Sequence, residues 1–357
     1  MPSRMLVIVA ALRLAAAVYP ARAVPVAGVV SPRDWSDLER TTITKSPAGN
    51  ELIMELPAVD LPAGTMVDQA ASVGEFPLNG SLYAFHAEIV DEHGRRLSND
   101  LLHHMNVMDP SERELFLPIS RRLLASGKET GEIRFPWLLF GARVRAGERI
   151  LANAMLHNPT DVSYHGVKVR LVLSYVPDNR PWPLFSVVPW QLDVAFPVGD
   201  KTFDLPPGRS ERAYEGSPAV PGKIIMIGGH VHDYATTIEL WDATTGKLLW
   251  HGEPVAPAPG QPAVVPPGRM YSLTRIGLSV TPTHRYRVRV VYNNTSGHAI
   301  PVGGMGVIGG LFRPDKDAVW PATNPQDTLY QKDLRHFMGP VEQVAVTVPL
   351  DHMHMEH

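Results

Sequence analysis

From Leu52 onward the chain cannot run far before a proline or a glycine stops it: 34 prolines and 29 glycines stand among its 357 residues. Proline removes a backbone donor and glycine loosens the backbone, so long helices are disfavoured and short strands joined by tight turns remain. Between the stops, apolar and polar residues alternate. GSLYAFHAEIVDEHGRRL (80–97) reads as a strand with a turn at Glu92-His93-Gly94, and RILANAMLHNPTDVSYHGVKVRLVLSYVP (149–177) as two strands around Asn158-Pro159. KIIMIGGHVHDYATTIELWDATTGKLLW (223–250) gives strand, turn and strand with a hairpin at Thr245-Gly246, and RYRVRVVYNNTSG (285–297) alternates as a half-buried strand does. Short helical turns are predicted only in SERELFLPISRRLLASG (111–127) and DTLYQKDLRHFMG (327–339).

Many short strands at this spacing predict an all-β fold of two antiparallel, jelly-roll-like β-sandwich domains in tandem. The proline-rich passage YVPDNRPWPLFSVVPW (175–190) is the expected linker, which divides the chain into domains at 45–185 and 186–345. Residue by residue the halves show no repeat, only the same kind of element list twice.

A net charge of −3 without any Lys/Arg cluster excludes a generally basic nucleic-acid binder. The absence of cysteine excludes disulfide staples, thiolate zinc sites, iron–sulfur clusters and the His/Cys blue-copper site. Any metal must be held by His, Met, carboxylate or backbone groups. At the N-terminus, Arg4 precedes an apolar run and Ala21-Arg22-Ala23 supplies a small-residue cleavage pattern, the form of a secretory signal peptide over 1–23 with Arg13 interrupting its apolar core. That run is too short for a membrane span, so an exported protein with no stable membrane insertion is expected.

The chemistry-bearing residues are histidines. His230 and His232 are two apart on an apolar strand after Gly228-Gly229, so their rings project from one face about 6.6 Å apart along the strand. They can tip onto one metal ion or stand as two surface imidazoles. His103 and His104 are adjacent, so both reach one metal only where the strand twists or bulges. His157 lies where an apolar strand meets a turn, and Met305 sits in a glycine-flanked apolar strand; alone, each reads as readily as a rim histidine and a core methionine.

As an ordered set, H-H-M at 103–105, His157, H-x-H at 230–232 and Met305 resemble the core of the type II copper, ascorbate-dependent monooxygenases, the group of peptidylglycine alpha-hydroxylating and dopamine beta-monooxygenase. The resemblance runs from YAFHAEIV (83–90) to GGMGVIGGLF (303–312). It implies two copper ions facing one another across a cleft between jelly-roll-like halves. His103, His104 and His157 would hold the copper that receives electrons from a reductant such as ascorbate. His230, His232 and Met305 would hold the copper at which O2 binds and an organic substrate, a small molecule or a peptide, is hydroxylated. A neutral thioether favours Cu(I), and imidazole suits both oxidation states. The animal enzymes are disulfide-rich whereas this chain has no cysteine, and their substrate-contacting residues find no match here.

Three other readings compete. A non-catalytic exported copper-binding or buffering protein would use the same ligands, and the tail DHMHMEH, with His352, Met353, His354, Met355 and His357 (within 346–357), would attract copper as well. A cupin would need a glutamate four or five residues after the second histidine, where Thr236 and Thr237 stand. A zinc hydrolase would need a carboxylate base, and Asp233 points to the opposite strand face.

Overall fold

Alternation is realised as 23 strands in a computed structural model that describes residues 35–128, 130–195, 201–255 and 264–338. The expected signal peptide (1–23) and His/Met tail (346–357) lie outside the described residues. The first half carries β1 (Thr42–Lys45), β2 (Glu51–Glu55), β3 (Val59–Leu61), β4 (Met66–Glu75), β5 (Gly80–Val90), β6 (Arg96–Leu97), β7 (Leu102–Arg113), β8 (Ser120–Gly127), β9 (Ile133–Arg134), β10 (Phe140–Val144), β11 (Arg149–His157) and β12 (Tyr164–Pro177). The second carries β13 (Phe185–Asp193), β14 (Phe203–Leu205), β15 (Gly208–Gly216), β16 (Gly222–Val231), β17 (Ala235–Asp242), β18 (Lys247–Gly252), β19 (Val264–Arg269), β20 (Leu278–Val280), β21 (Tyr286–Asn294), β22 (Ile300–Gly304) and β23 (Gly306–Pro314).

The protein is all-β, with antiparallel sheets packed as sandwiches. In the first half the small sheet runs β4-β11-β7-β8, and in the second β15-β21-β17-β18, the same order of equivalent strands. Each small sheet packs on part of one large 13-stranded sheet, whose main path is β1-β2-β12-β5-β10-β13-β23-β16-β19. The seam is β13, parallel to β10 of the first half and antiparallel to β23 of the second. The expected linker therefore shrinks to 178–184; the rest of that passage is strand, and the 185/186 cut falls at the start of β13. Two cores result, one around Leu52, Ile89 and Leu171, the other around Leu240, Val288 and Phe312.

The halves repeat down to individual hydrogen bonds. Buried Asn158 donates its amide to the carbonyls of Leu61, Pro62 and Val162, while its oxygen accepts from Thr160. Buried Asn294 does the same with Leu205, Pro206, His298 and Ser296. Asp60 accepts the Gly166 amide and Asp204 the Val302 amide, at 3.1 and 3.0 Å. The recurring sequence is Asp-Leu-Pro-x-Gly, at 60–64 and 204–208. The strand that is continuous in the first half as β12 is split in the second into β22 and β23, and the residue at the break is Met305.

One helical expectation fails. Residues 111–127 hold no helix: β7 ends, Leu115, Phe116, Leu117 and Ile119 are buried in the second-half core, and β8 returns as a strand. Pro118 denies a helix its hydrogen bond, and Phe116 gains aromatic contacts with Trp190 (5.6 Å) and Tyr286 (6.2 Å) that a local helix would forfeit. The other expectation holds as α1 (Thr328–Met338). Asp327 caps it, accepting the amides of Leu329 and Tyr330, and Tyr330, Leu334 and Phe337 form its buried stripe.

Candidate metal centre

A bulge decides the geometry of the first histidine set. In the β11–β7 ladder Met155 pairs His104 and the next pair is Leu156 with Leu102, so His103 is the extra residue of a β-bulge. The bulge breaks alternation at the point where two adjacent histidines need it broken. The rings stand 5.2 Å apart, and both residues are half-buried. His157 ends β11, two residues beyond Met155. Its imidazole is held below the ordinary histidine range by burial and then by the positive charge of Lys128, so it rests as a neutral ring able to offer a lone pair. Among the described residues no three His, Cys, Asp or Glu side chains converge as a metal-binding group. The structure thus brings His103 and His104 together, and His157 does not close on them.

The second set is built by β16 and β23. His230 pairs Val307 and Val231 pairs Gly306, which brings Met305, just before β23, alongside His232. The two imidazoles are 5.5 Å apart and nearly perpendicular at 81°. His230 and Met305 are buried, 2% and 0% exposed, while His232 is half-buried. One hydroxyl locks the pair of strands. The oxygen of Tyr292 accepts the amide of His232 at 3.2 Å and that of Met305 at 2.8 Å, capping the separation of those nitrogens at about 6 Å, and the hydroxyl donates to the Met305 carbonyl. Burial pushes the Tyr292 phenol up to about 12, so it keeps the proton it donates. The Met305 side chain clusters with Val307, the cross-strand partner of His230, and Ala125 of β8 packs against this cluster. Backbone strain flanks the set: Tyr234 has φ 68° and Val302 φ 48°, unusual for non-glycine residues.

Two imidazoles and a soft thioether on adjoining strands fit copper, above all Cu(I). In the first half the fit extends to the His103–His104 pair. The sets are not symmetry mates, since one lies on β7 of a small sheet and the other on β16 of the large sheet. They do approach: Ala125, which touches the Met305 cluster, pairs Asn106, two residues from His104. His298, a loop histidine, is exposed and lies outside both sets.

Sequence reasoning missed three residues here. Tyr292 looked like one more alternating aromatic. Gln191 lines an apolar pocket at the seam, together with Leu82, Leu124, Ala125 and Leu311. Glu148 lines a neighbouring pocket with Asp109, Glu112 and Arg121. Burial, and then the charge of Asp109, push the Glu148 carboxyl up to about 7, and burial also raises Asp109. A carboxyl that titrates near neutrality can give or take a proton. In the turn Arg145–Glu148, where Gly147 takes φ 82°, the first three residues are exposed and only Glu148 is half-buried, sharing its pocket with Asp109 of β7.

No family model matches the chain, and no curated protein does. Solved structures with some likeness include PNGase F, a glycosylasparaginase from Flavobacterium meningosepticum, with TM-score 0.36, 10% identity and coverage of 76% of this chain and 99% of that one. A structure of PNGF-II follows with TM-score 0.31, 11% identity and coverage of 79% and 62%. Tripeptidyl peptidase 2 gives TM-score 0.20, 10% identity and coverage of 77% and 24%.

Proposed function

We propose that the chain is an exported, copper-dependent oxidoreductase of the monooxygenase type, taking O2 and electrons from an external reductant such as ascorbate to hydroxylate an organic substrate. The observation that carries this reading is the Tyr292 hydroxyl holding Met305 beside the His230–His232 strand at the one place where the repeated strand is broken. A break there gives up ladder hydrogen bonds that the first half keeps, and it leaves the methionine alongside His232 on the adjoining strand.

His230, His232 and Met305 would hold one copper, with His103, His104 and, after movement of its strand end, His157 holding the other. Copper supplies one-electron exchange with dioxygen. Balanced, a C–H bond becomes C–OH while the second oxygen atom leaves as water, with two electrons from the reductant and two protons. The residues' part is to fix donors of the right softness, and half-buried His232 is the member of the second set nearest to solvent.

The near-complete burial of His230 and Met305 favours a second reading, a protein that holds copper without turnover. One experiment separates the two. Copper-loaded protein is analysed for metal content and by paramagnetic resonance, then assayed for oxygen uptake with ascorbate and a panel of organic substrates. Two type II coppers per chain with substrate-dependent uptake support the enzyme, and copper without uptake supports the holder. Met305→Ile should abolish uptake and weaken Cu(I) binding at one site alone; a variant with full copper and full uptake would refute the ligand assignment.

A further inference from the structure

Gln191 is a feature of the seam that folding alone leaves unexplained. It is 2% exposed, yet neither its Nε2 nor its Oε1 has a hydrogen-bond partner. A buried amide in that condition has given up its water contacts for nothing, which is unfavourable unless something else meets it. Alternation along β13 puts Gln191 on the face shared with Pro189, and across the ladder with Leu311, and all three line the seam pocket. Directly across the ladder from Gln191 stand glycines, Gly309 on β23 and that residue's partner Gly228 on β16.

The rest of the lining sets the ligand's character. Leu82, Phe85, Leu124 and Ile133 make it apolar. Its one lining cation, Arg122, is engaged by both oxygens of Asp333 at 2.9 and 2.5 Å. Glu114, wholly buried and outside the lining, accepts the backbone N–H of Gln191 at 3.3 Å, and an anion arriving in the pocket would find no open cation. What remains complementary is a neutral group offering one donor and one acceptor side by side.

We propose that the seam pocket binds a neutral, elongated apolar molecule with a primary carboxamide head, which pairs with the Gln191 amide through one N–H···O bond in each direction. The pocket reaches Ala125, which packs against the cluster of Met305 and Val307. Binding itself needs no metal. The proposal therefore stands or falls apart from the copper reading.

The test is calorimetric titration of the full, metal-free chain with octanamide, methyl octanoate and octanoate. Octanamide should bind at least about tenfold more tightly than the ester, which lacks the donor, and than the anion. Gln191→Met keeps the length of the side chain and removes both polar atoms. It should erase that preference while leaving the melting temperature equal or higher. Leu123→Trp, which fills the pocket from β8 and leaves Gln191 in the sequence, should abolish binding of all three. Equal affinities, no binding (a site for water alone), or a Gln191→Met protein that melts lower because the amide serves the fold would each overturn the proposal.

Discussion

Tyr292 shows how much one atom can hold. Its phenol oxygen is the shared partner of two backbone amides and its proton goes to a carbonyl, so Tyr292→Phe leaves the N–H groups of His232 and Met305 and the carbonyl of Met305 without that partner. Buried backbone groups so orphaned cost roughly 2–3 kcal/mol in total after partial relaxation. Urea denaturation of the metal-free protein should show that loss, and copper-loaded protein should release Cu(I) more readily as the two strands loosen; unchanged stability would mean that the hydroxyl is not a clamp. Glu148 makes a residue-scale prediction with a definite sign. Its folded pKa of about 7 stands above the ordinary 4.5 of a glutamate. The folded state thus binds the proton more tightly than the unfolded one. Stability is fully present below the unfolded pKa and is lost as pH rises through about 7. The loss is on the order of 1 kcal/mol, less than the shift alone implies because the carboxyl is part-exposed. Melting curves between pH 4.5 and 8 should fall for the wild type and flatten for Glu148→Gln.

At the scale of the element, the repeated turn gives an internal control. Gly166 and Val302 occupy the same place in the two halves, each donating its amide to the aspartate of a Leu-Pro motif, with φ 58° and 48°. A left-handed conformation suits glycine and strains a β-branched residue by about 1–2 kcal/mol. Val302→Gly should therefore raise stability by about 1 kcal/mol after the entropy that glycine adds to the unfolded chain. Gly166→Val should cost more than the strain alone, because its Cβ would come within 2.8 Å of the Glu92 Cβ. A shifted urea midpoint with unchanged slope checks both. The same elements show what could be read in advance. Strand β21 was legible because alternation records its single buried face, whereas β5 and β16, buried on both faces over most of their length, were legible as short apolar runs bounded by turn residues. The segment 111–127 was misread because its apolar run answers to a core made by the other half of the chain, which local periodicity cannot express. The H-x-H pair needed only strand geometry. The His103–His104 pair needed a bulge, which the sequence allowed without locating. The duplicated lock escaped notice because its identity is confined to Asp-Leu-Pro-x-Gly and one asparagine per half, and the surrounding strands have diverged.

For the whole molecule the question is what keeps two repeated halves in one arrangement. Part of the answer is β13, hydrogen-bonded to both halves of the large sheet. The other part is the segment after β23, which leaves the second half and folds back on the first. Trp320 donates to the Arg113 carbonyl, Tyr330 to the Pro110 carbonyl, and Asn153 to the Phe337 carbonyl. At the centre, Asp333 of α1 takes two bonds from Arg122 of β8, both side chains nearly fully buried. A buried pair of this kind contributes little over an apolar replacement, but removing one partner strands the other charge at a cost of about 3–5 kcal/mol. Asp333→Ala should therefore destabilise by that amount, whereas Arg122→Leu with Asp333→Leu should cost distinctly less than Asp333→Ala alone. Native-state hydrogen exchange gives the spatial check: in Asp333→Ala the amides of α1 and of β8 should lose protection ahead of β16 and β21, because the helix undocks from the first half before either core opens. If all of these elements lose protection together, α1 is an integral part of the cooperative fold and does not act as a separable clasp between the halves.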